Sequence, residues 1–193
     1  MRALLVAAAA LAFAAGAAAQ ANYAERYAKD CAACHGAQGV ATAPGVPHLG
    51  GQGAFYAITQ LFLFRQGRRD NAVMTAVAQG MNDADLRGFS DVIGRLPPPP
   101  ASSATGDAAR VERGRALAAR HHCTACHGTD LAGDAKIPRL AQQREDYLLQ
   151  ALQGFRSGKR LGYTNAMGEA LAALSPQDLD DLAHSIAHWR APP

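Results

Sequence analysis

Apolar residues return at intervals of three and four between Ala54 and Gln66, and the same interval returns between Glu145 and Arg156. That period places the apolar side chains on one face, so both stretches are expected to be amphipathic helices. Asn22–Cys34 and Asp107–Cys126 are Ala-rich with Glu, Arg or Lys between, a composition that favours helix. Ser175-Pro176-Gln177-Asp178 reads as a helix start, with serine at the N-cap, proline at the first helical position and an acid at the third. Asn82-Asp83-Ala84-Asp85 plays the same part earlier in the chain. No segment alternates apolar and polar residues convincingly, so the expected fold class is all-α.

The pattern also repeats on a longer scale. Cys31-Ala32-Ala33-Cys34-His35-Gly36 returns as Cys123-Thr124-Ala125-Cys126-His127-Gly128, 92 positions later. In register behind it, Pro47-x-Leu49-x-x-Gln52-x-x-x-Tyr56 matches Pro138-x-Leu140-x-x-Gln143-x-x-x-Tyr147. Phe64-Arg65-x-Gly67-Arg68-Arg69 matches Phe155-Arg156-x-Gly158-Lys159-Arg160, and Met74 matches Met167. Between the copies lies Pro97-Pro98-Pro99-Pro100, which favours an extended, semi-rigid spacer. Two domains are expected, over 22–96 and 106–190, joined by a Pro-rich linker over 97–105. Each is about 75 to 85 residues, a size that often needs a staple or cofactor to complete its core.

Residues 1–20 differ from the rest: Arg2 precedes a weakly apolar, Ala-dominated run ending near Ala17-Ala18-Ala19. This is the pattern of a cleavable signal peptide, and it implies export to the periplasm. The competing reading is an uncleaved anchor, for which the run is barely long enough.

Composition narrows the function. Of 193 residues 49% are hydrophobic and 18% charged, which excludes a disordered tail protein. Charge is nearly balanced, 19 Lys+Arg against 16 Asp+Glu, with no basic run, so nucleic acid is not an expected partner.

All four cysteines, Cys31, Cys34, Cys123 and Cys126, fall in the two Cys-x-x-Cys-His motifs. That pentapeptide is the attachment signature of c-type haem. Two thiols add across two vinyl groups as thioethers, and the turn presents the next residue, His35 or His127, to the iron. A thioredoxin-like site would need a βαβ context and would not explain the histidines. A four-cysteine zinc site would need two distant pairs to meet. The cofactors expected are therefore two covalently bound haem c groups.

A sixth ligand to each iron is expected from methionine. Met167 is the one methionine in its repeat, and Met74 is its register match; Met81 aligns instead with Leu174, an apolar position. His48, His121, His122, His184 and His188 have no counterparts in the other copy, which argues against histidine as sixth ligand in both. His184 and His188 lie four apart, as a metal pair can, although an amphipathic helix beside Trp189 reads the same way.

With these residues the sequence resembles the class I c-type cytochromes, specifically the di-haem cytochrome c4 family, over nearly the whole chain after the leader. The resemblance implies two tandem cytochrome c domains related by a pseudo-twofold axis, with haem propionates near the domain interface. It implies that Pro47 and Pro138 accept a hydrogen bond from the axial histidines, and that Tyr56, Tyr147, Arg65 and Arg156 are candidate propionate partners. For the tyrosines, plain helix packing is an equal reading. It also implies a periplasmic electron carrier, not an enzyme, whose partners are redox proteins such as a dehydrogenase, a bc1-type complex or a terminal oxidase. Peripheral association with the membrane is compatible with that role. A di-haem subunit bound tightly to a periplasmic dehydrogenase carries much the same pattern.

Overall fold

The computed structural model describes residues 22–102, 104–160 and 165–190; the leader expected over 1–20 lies outside the described residues. Ten helices are described. In the first half α1 covers 22–30, followed by α2 (Ala32–His35), α3 (Ala54–Arg65), α4 (Ala72–Gln79) and α5 (Asp83–Ile93). In the second, α6 (Ala108–Arg120), α7 (Cys123–His127), α8 (Glu145–Arg156), α9 (Ala166–Leu171) and α10 (Pro176–Ala187) repeat that order. No strand occurs among the described residues. The one β-type contact is an isolated antiparallel bridge between Arg69 and Arg160.

The helix starts follow the chemistry of their first residues. Asn82 and Ser175 each accept the backbone N–H three residues on, and Asp85 and Asp178 reach back to the cap N–H, closing two capping boxes. Asp107 caps α6 in the same way, accepting from the Arg110 N–H. The long helix expected over 22–34 is broken at Cys31, the first residue of the cysteine motif, and that expected over 107–126 is broken at 121–122, just before it. In the second half the break is a reversal at His122, whose φ is 53°, so the cysteine–histidine turn leaves the axis of α6.

Two cores form, one in each half. The first gathers Tyr27, Ala57, Leu61, Leu86, Phe89, Val92 and Ile93 from α1, α3 and α5. The second is built around Leu117, Leu148, Leu152, Leu179, Leu182, Ile186 and Trp189, mainly from α6, α8 and α10. In each half the first long helix crosses the last at a glycine. Gly88 of α5 lies under the Tyr23 ring, and Gly114 of α6 lies against Ser185 and the Asp181 backbone of α10. Ion pairs flank both crossings, Arg26–Asp85 at 2.6 Å and Arg113–Asp181 at 2.6 Å. The Arg26 guanidinium holds the Asp85 carboxyl below its ordinary pKa, as Arg113 does for Asp181.

The halves meet along a seam with twofold character. The Gln52 side chain donates to the Arg139 carbonyl (2.9 Å) and accepts from the Arg139 N–H (3.1 Å). Its register match, Gln143, donates to the His48 carbonyl (2.9 Å) and accepts from the His48 N–H (2.7 Å). A pseudo-twofold axis turns one set of contacts into the other. Asp146 accepts from the Gly45 N–H at 2.9 Å, and Arg144 donates to the Thr42 carbonyl at 3.1 Å. The Pro-rich segment follows the seam instead of standing clear of it. Gly51, at φ +71°, donates to the Leu96 carbonyl and has Pro98 where a Cβ would sit, while the Ser102 N–H donates to Gln142.

Candidate functional site

Each cysteine–histidine motif is a single helical turn. The His35 N–H donates to the Cys31 carbonyl at 2.9 Å, and the turn ends at Gly36, where φ is 79°. A side chain there would strike the Val40 carbonyl oxygen, so the chain can reverse after the histidine only at glycine. Gly128 repeats that conformation with φ at 82°. The turn leaves Cys31 and Cys123 half-buried, Cys34 and Cys126 exposed, and all four thiols free. Burial pushes the Cys31 thiol up to about 11 and raises Cys123 as well.

The histidines point the other way, inward. His35 is 7% exposed and His127 6%. Their Nδ1–H groups donate to the carbonyls of Pro47 (3.0 Å) and Pro138 (2.9 Å). Burial lowers both imidazole pKa values against the opposing pull of those carbonyls, which favours the neutral ring. With Nδ1 occupied, the lone pair remains on Nε2, the atom a metal would take. A pair of unoxidised thiols on one turn followed by a buried neutral imidazole of fixed tautomer is a donor set that fits haem c.

Met74 lies on α4 and Met167 on α9, each half-buried against the core of its own half. Asn71 caps α4 by accepting the Met74 N–H at 2.9 Å. Met81 packs on the first core, and its match Leu174 is buried in the second.

The polar candidates sort differently. Arg65 donates to the Met81 carbonyl (3.2 Å) and to Asp83 (2.8 Å); Arg156 donates to the Leu174 carbonyl (2.9 Å). Both therefore brace the turn that leads into the last helix of their own half. Tyr56 and Tyr147 meet across the seam with Arg69 and Arg160. Arg69 reaches the Tyr147 hydroxyl at 2.8 Å, while Arg160 reaches Tyr147 at 3.2 Å and Tyr56 at 3.3 Å. Neither guanidinium is paired with a carboxylate among the described residues, and the Arg160 Nε is buried without a partner. Burial raises the Tyr147 pKa, but the two guanidiniums outweigh it and the net shift is downward; burial, with Tyr147 next to it, pushes Tyr56 up. Sequence reasoning passed over Arg69 and Arg160, although both close the repeated Phe-Arg-x-Gly-x-Arg segment.

Glu145, His184 and His188 come together in the second half, within 4.8 Å of one another. His184 is already committed: Nε2 accepts from the Asp107 N–H (2.9 Å) and Nδ1–H donates to Glu145 (2.9 Å). His188 donates back to the His184 carbonyl at 2.9 Å. The pair thus ties α6 and α8 to α10 as a structural bridge. No helix among the described residues is long and apolar enough to cross a membrane.

Comparison with known proteins matches residues 111–188 to the cytochrome c family model and residues 18–90 to that of the cbb3-type cytochrome c oxidase subunit III. A thiosulfate dehydrogenase electron acceptor of Stutzerimonas stutzeri is 33% identical over 168 residues, covering 82% of this chain and 78% of its own. A cytochrome c4 of Pseudomonas aeruginosa is 33% identical over 167 residues, covering 81% of this chain and 82% of its own. The crystal structure of reduced cytochrome c4 from Pseudomonas stutzeri superposes with a TM-score of 0.78 at 28% identity, covering 88% of this chain and 97% of that one. Relatedness of this extent, over both halves at once and with the same two-half fold, means that the chain belongs to the cytochrome c4 family, di-haem proteins of two tandem cytochrome c domains, each with covalently bound haem c.

Proposed function

We propose that this chain is an exported di-haem electron carrier of the periplasm that passes single electrons between redox proteins and turns over no substrate of its own. Thioether bonds would form at Cys31 and Cys34 in the first domain and at Cys123 and Cys126 in the second. His35 with Met74, and His127 with Met167, would be the axial pairs. When bound, each haem supplies a one-electron ferrous/ferric couple. The protein's own part is to keep each imidazole neutral and oriented, to fill the last position with thioether sulfur and to keep water away. The observation that carries the reading is the duplicated buried histidine, its Nδ1–H fixed on a proline carbonyl, with one register-matched methionine in the same half. A thioether opposite histidine raises the potential and leaves no open coordination site. Partners would be a dehydrogenase or bc1-type complex on the donor side and a terminal oxidase on the acceptor side.

A second reading, a subunit held tightly by a periplasmic dehydrogenase, draws on the name of the thiosulfate dehydrogenase electron acceptor and on one asymmetry. Phe55 (43%), Phe62 (41%) and Val73 (69%) are exposed in the first half. Their register matches are Asp146, Gln153 and Ala166. Phe55 and Phe62 line one groove with Ile58 and Leu86, and an apolar surface of this kind on one half only suits a lasting contact.

The test is an optical titration of the purified exported protein, with carbon monoxide added to the reduced form. Two c-type haems per chain, a ferric methionine–iron band and no carbon monoxide binding are expected. Binding of carbon monoxide at either iron overturns the closed-relay reading. Persistent co-purification with a dehydrogenase through high salt selects the subunit reading.

A further inference from the structure

We propose that Gln143 and Gln52 tune the iron sites crosswise, each acting on the axial histidine of the opposite half through one shared peptide group. The inference rests on the assignment of His35 and His127 as axial ligands.

The Pro47 carbonyl that accepts the His35 Nδ1–H and the His48 N–H that donates to Gln143 are the two ends of a single amide. That amide is conjugated, so charge drawn at one end is felt at the other. Reading along it, the imidazole Nδ1–H of the first half donates at 3.0 Å to the Pro47 oxygen, and the same peptide's N–H donates at 2.7 Å to the Gln143 Oε1 of the second half. The second copy runs the opposite way. The His127 Nδ1–H donates at 2.9 Å to the Pro138 oxygen, and the Arg139 N–H of that peptide donates at 3.1 Å to the Gln52 Oε1 of the first half. Each glutamine also donates its Nε2 to the carbonyl of the residue it grips, at 2.9 Å in both copies, so its oxygen cannot swing away. Both glutamines are buried, 7% and 6% exposed, in surroundings where chained hydrogen bonds polarise one another instead of being screened.

The direction of the effect follows. A glutamine oxygen that takes the peptide N–H drives nitrogen electron density toward the carbonyl. The carbonyl becomes a better acceptor for the imidazole Nδ1–H, and the imidazole a stronger electron donor at Nε2. A stronger donor favours the ferric state, so the glutamine of one half lowers the potential of the other half's site. The Gln143 Oε1 is shared with the Arg144 N–H at 3.0 Å, so the shorter contact at His48 does not by itself rank the two effects. Gln52 and Gln143 are thus positioning residues for sites in which they have no ligating role, and each half holds part of its partner's tuning.

The test uses the whole holoprotein with Gln143→Met and Gln52→Met, which remove the hydrogen bonds at similar volume, and Gln143→Glu, which keeps an acceptor for the His48 N–H. Potentials are read site by site, by redox titration followed through the assigned axial-ligand proton resonances. The solvent exchange of each histidine Nδ1–H is read in the reduced protein. Gln143→Met is expected to raise the potential of the Cys31/Cys34 site and to speed exchange at His35, leaving His127 unchanged. Gln52→Met should raise the potential of the Cys123/Cys126 site and speed exchange at His127, leaving His35 unchanged, and Gln143→Glu should return the first site to the wild-type potential or below it. A shift in the variant's own half, equal shifts in both, no shift, or a Gln143→Glu protein that behaves like Gln143→Met overturns the proposal, since a merely loosened seam gives those results. Failure of the axial assignment is seen separately, because the wild-type resonances would then lack one histidine–iron signal.

Discussion

Replacing Gly114 by alanine sets a methyl group into the crossing of α6 and α10. The added carbon would lie 2.3 Å from the Ser185 Cβ and 2.4 Å from the Asp181 carbonyl oxygen. Neither atom is the end of a flexible side chain, so the helices themselves must part. Ordinary contact begins near 3.4 Å, which asks for a separation of about 1 Å in a close-packed interior. Such overpacking costs about 1–3 kcal/mol. The same movement stretches the 3.0 Å bond from the Ser185 hydroxyl to the Val111 carbonyl, worth about 1 kcal/mol. Alanine's better helix propensity returns about 1 kcal/mol. The net expectation is a loss of about 1–3 kcal/mol in the second domain, or about 4–8 °C in Tm for each kcal/mol. Trp189 is the one tryptophan of the chain and is buried in the second core, so its emission during guanidinium unfolding reports that domain alone. Gly80 is the control. It ends α4 at φ −80°, with nothing within 4 Å of an added Cβ, so Gly80→Ala should be neutral or stabilising by up to about 1 kcal/mol. A Gly114→Ala protein that unfolds at the wild-type denaturant concentration would refute the reasoning.

Three further outcomes follow from the same geometry. Met167→Ala should let the reduced second site bind carbon monoxide while its haem stays attached, and Met74→Ala should do so in the first; an unchanged spectrum in either variant removes that methionine from the ligand set. Met81→Leu, which copies the matched Leu174, should leave the spectrum and both potentials as they are. Asp146 is held down to about 2, first by its Arg144 hydrogen bond and further by the Gly45 N–H across the seam. Its folded pKa lies below the unfolded value of about 3.9, so its contribution is complete above about pH 4 and is lost as pH falls toward 2. Being 41% exposed, the side chain contributes well under about 1 kcal/mol. The Gly45 amide resonance should nevertheless titrate with a midpoint near 2, and a midpoint at the ordinary carboxylate value would contradict the seam contact.

What was legible in the sequence was local or repeated. The two capping boxes could be read from Asn82 and Ser175, because a cap is settled within four residues. The all-α class and the tandem plan could be read from helical period and from Cys-x-x-Cys-His occurring twice. The breaks at Cys31 and before Cys123 could not, since the Ala-rich runs carry good helix formers through them and the reversal at His122 carries no glycine. Helices α4 and α9 went unassigned for another reason. Val73 and Val77 of α4 are exposed, which blurs the apolar stripe that period reading depends on, and α9 is only six residues long. The seam was the least legible part. Gln52 meets Arg139 and Arg69 meets Tyr147 across 87 and 78 positions, and no local pattern announces such a meeting. Register matching flagged Gln52, Gln143, Arg69 and Arg160 as repeated, but repetition does not say whether a residue faces its own core or the other copy. Arg65 and Arg156 recur at the same spacing in both copies, which fits a brace on the following turn as well as it fits a partner for a propionate.

The reciprocal glutamine contacts have an evolutionary consequence. Each half carries both a glutamine and the backbone segment that the opposite glutamine grips, so the seam is self-complementary: two copies of either half present everything needed for the same four hydrogen bonds. The tandem chain thus holds in one polypeptide a pairing that two copies of one half could also make. Fusion replaces an association that depends on concentration with one held at an effective concentration in the millimolar range by a short linker, and it frees the two ends to diverge. The exposed Phe55 and Phe62, register-matched by Asp146 and Gln153, lie where the two halves differ, on a face a strict homodimer would have to keep identical.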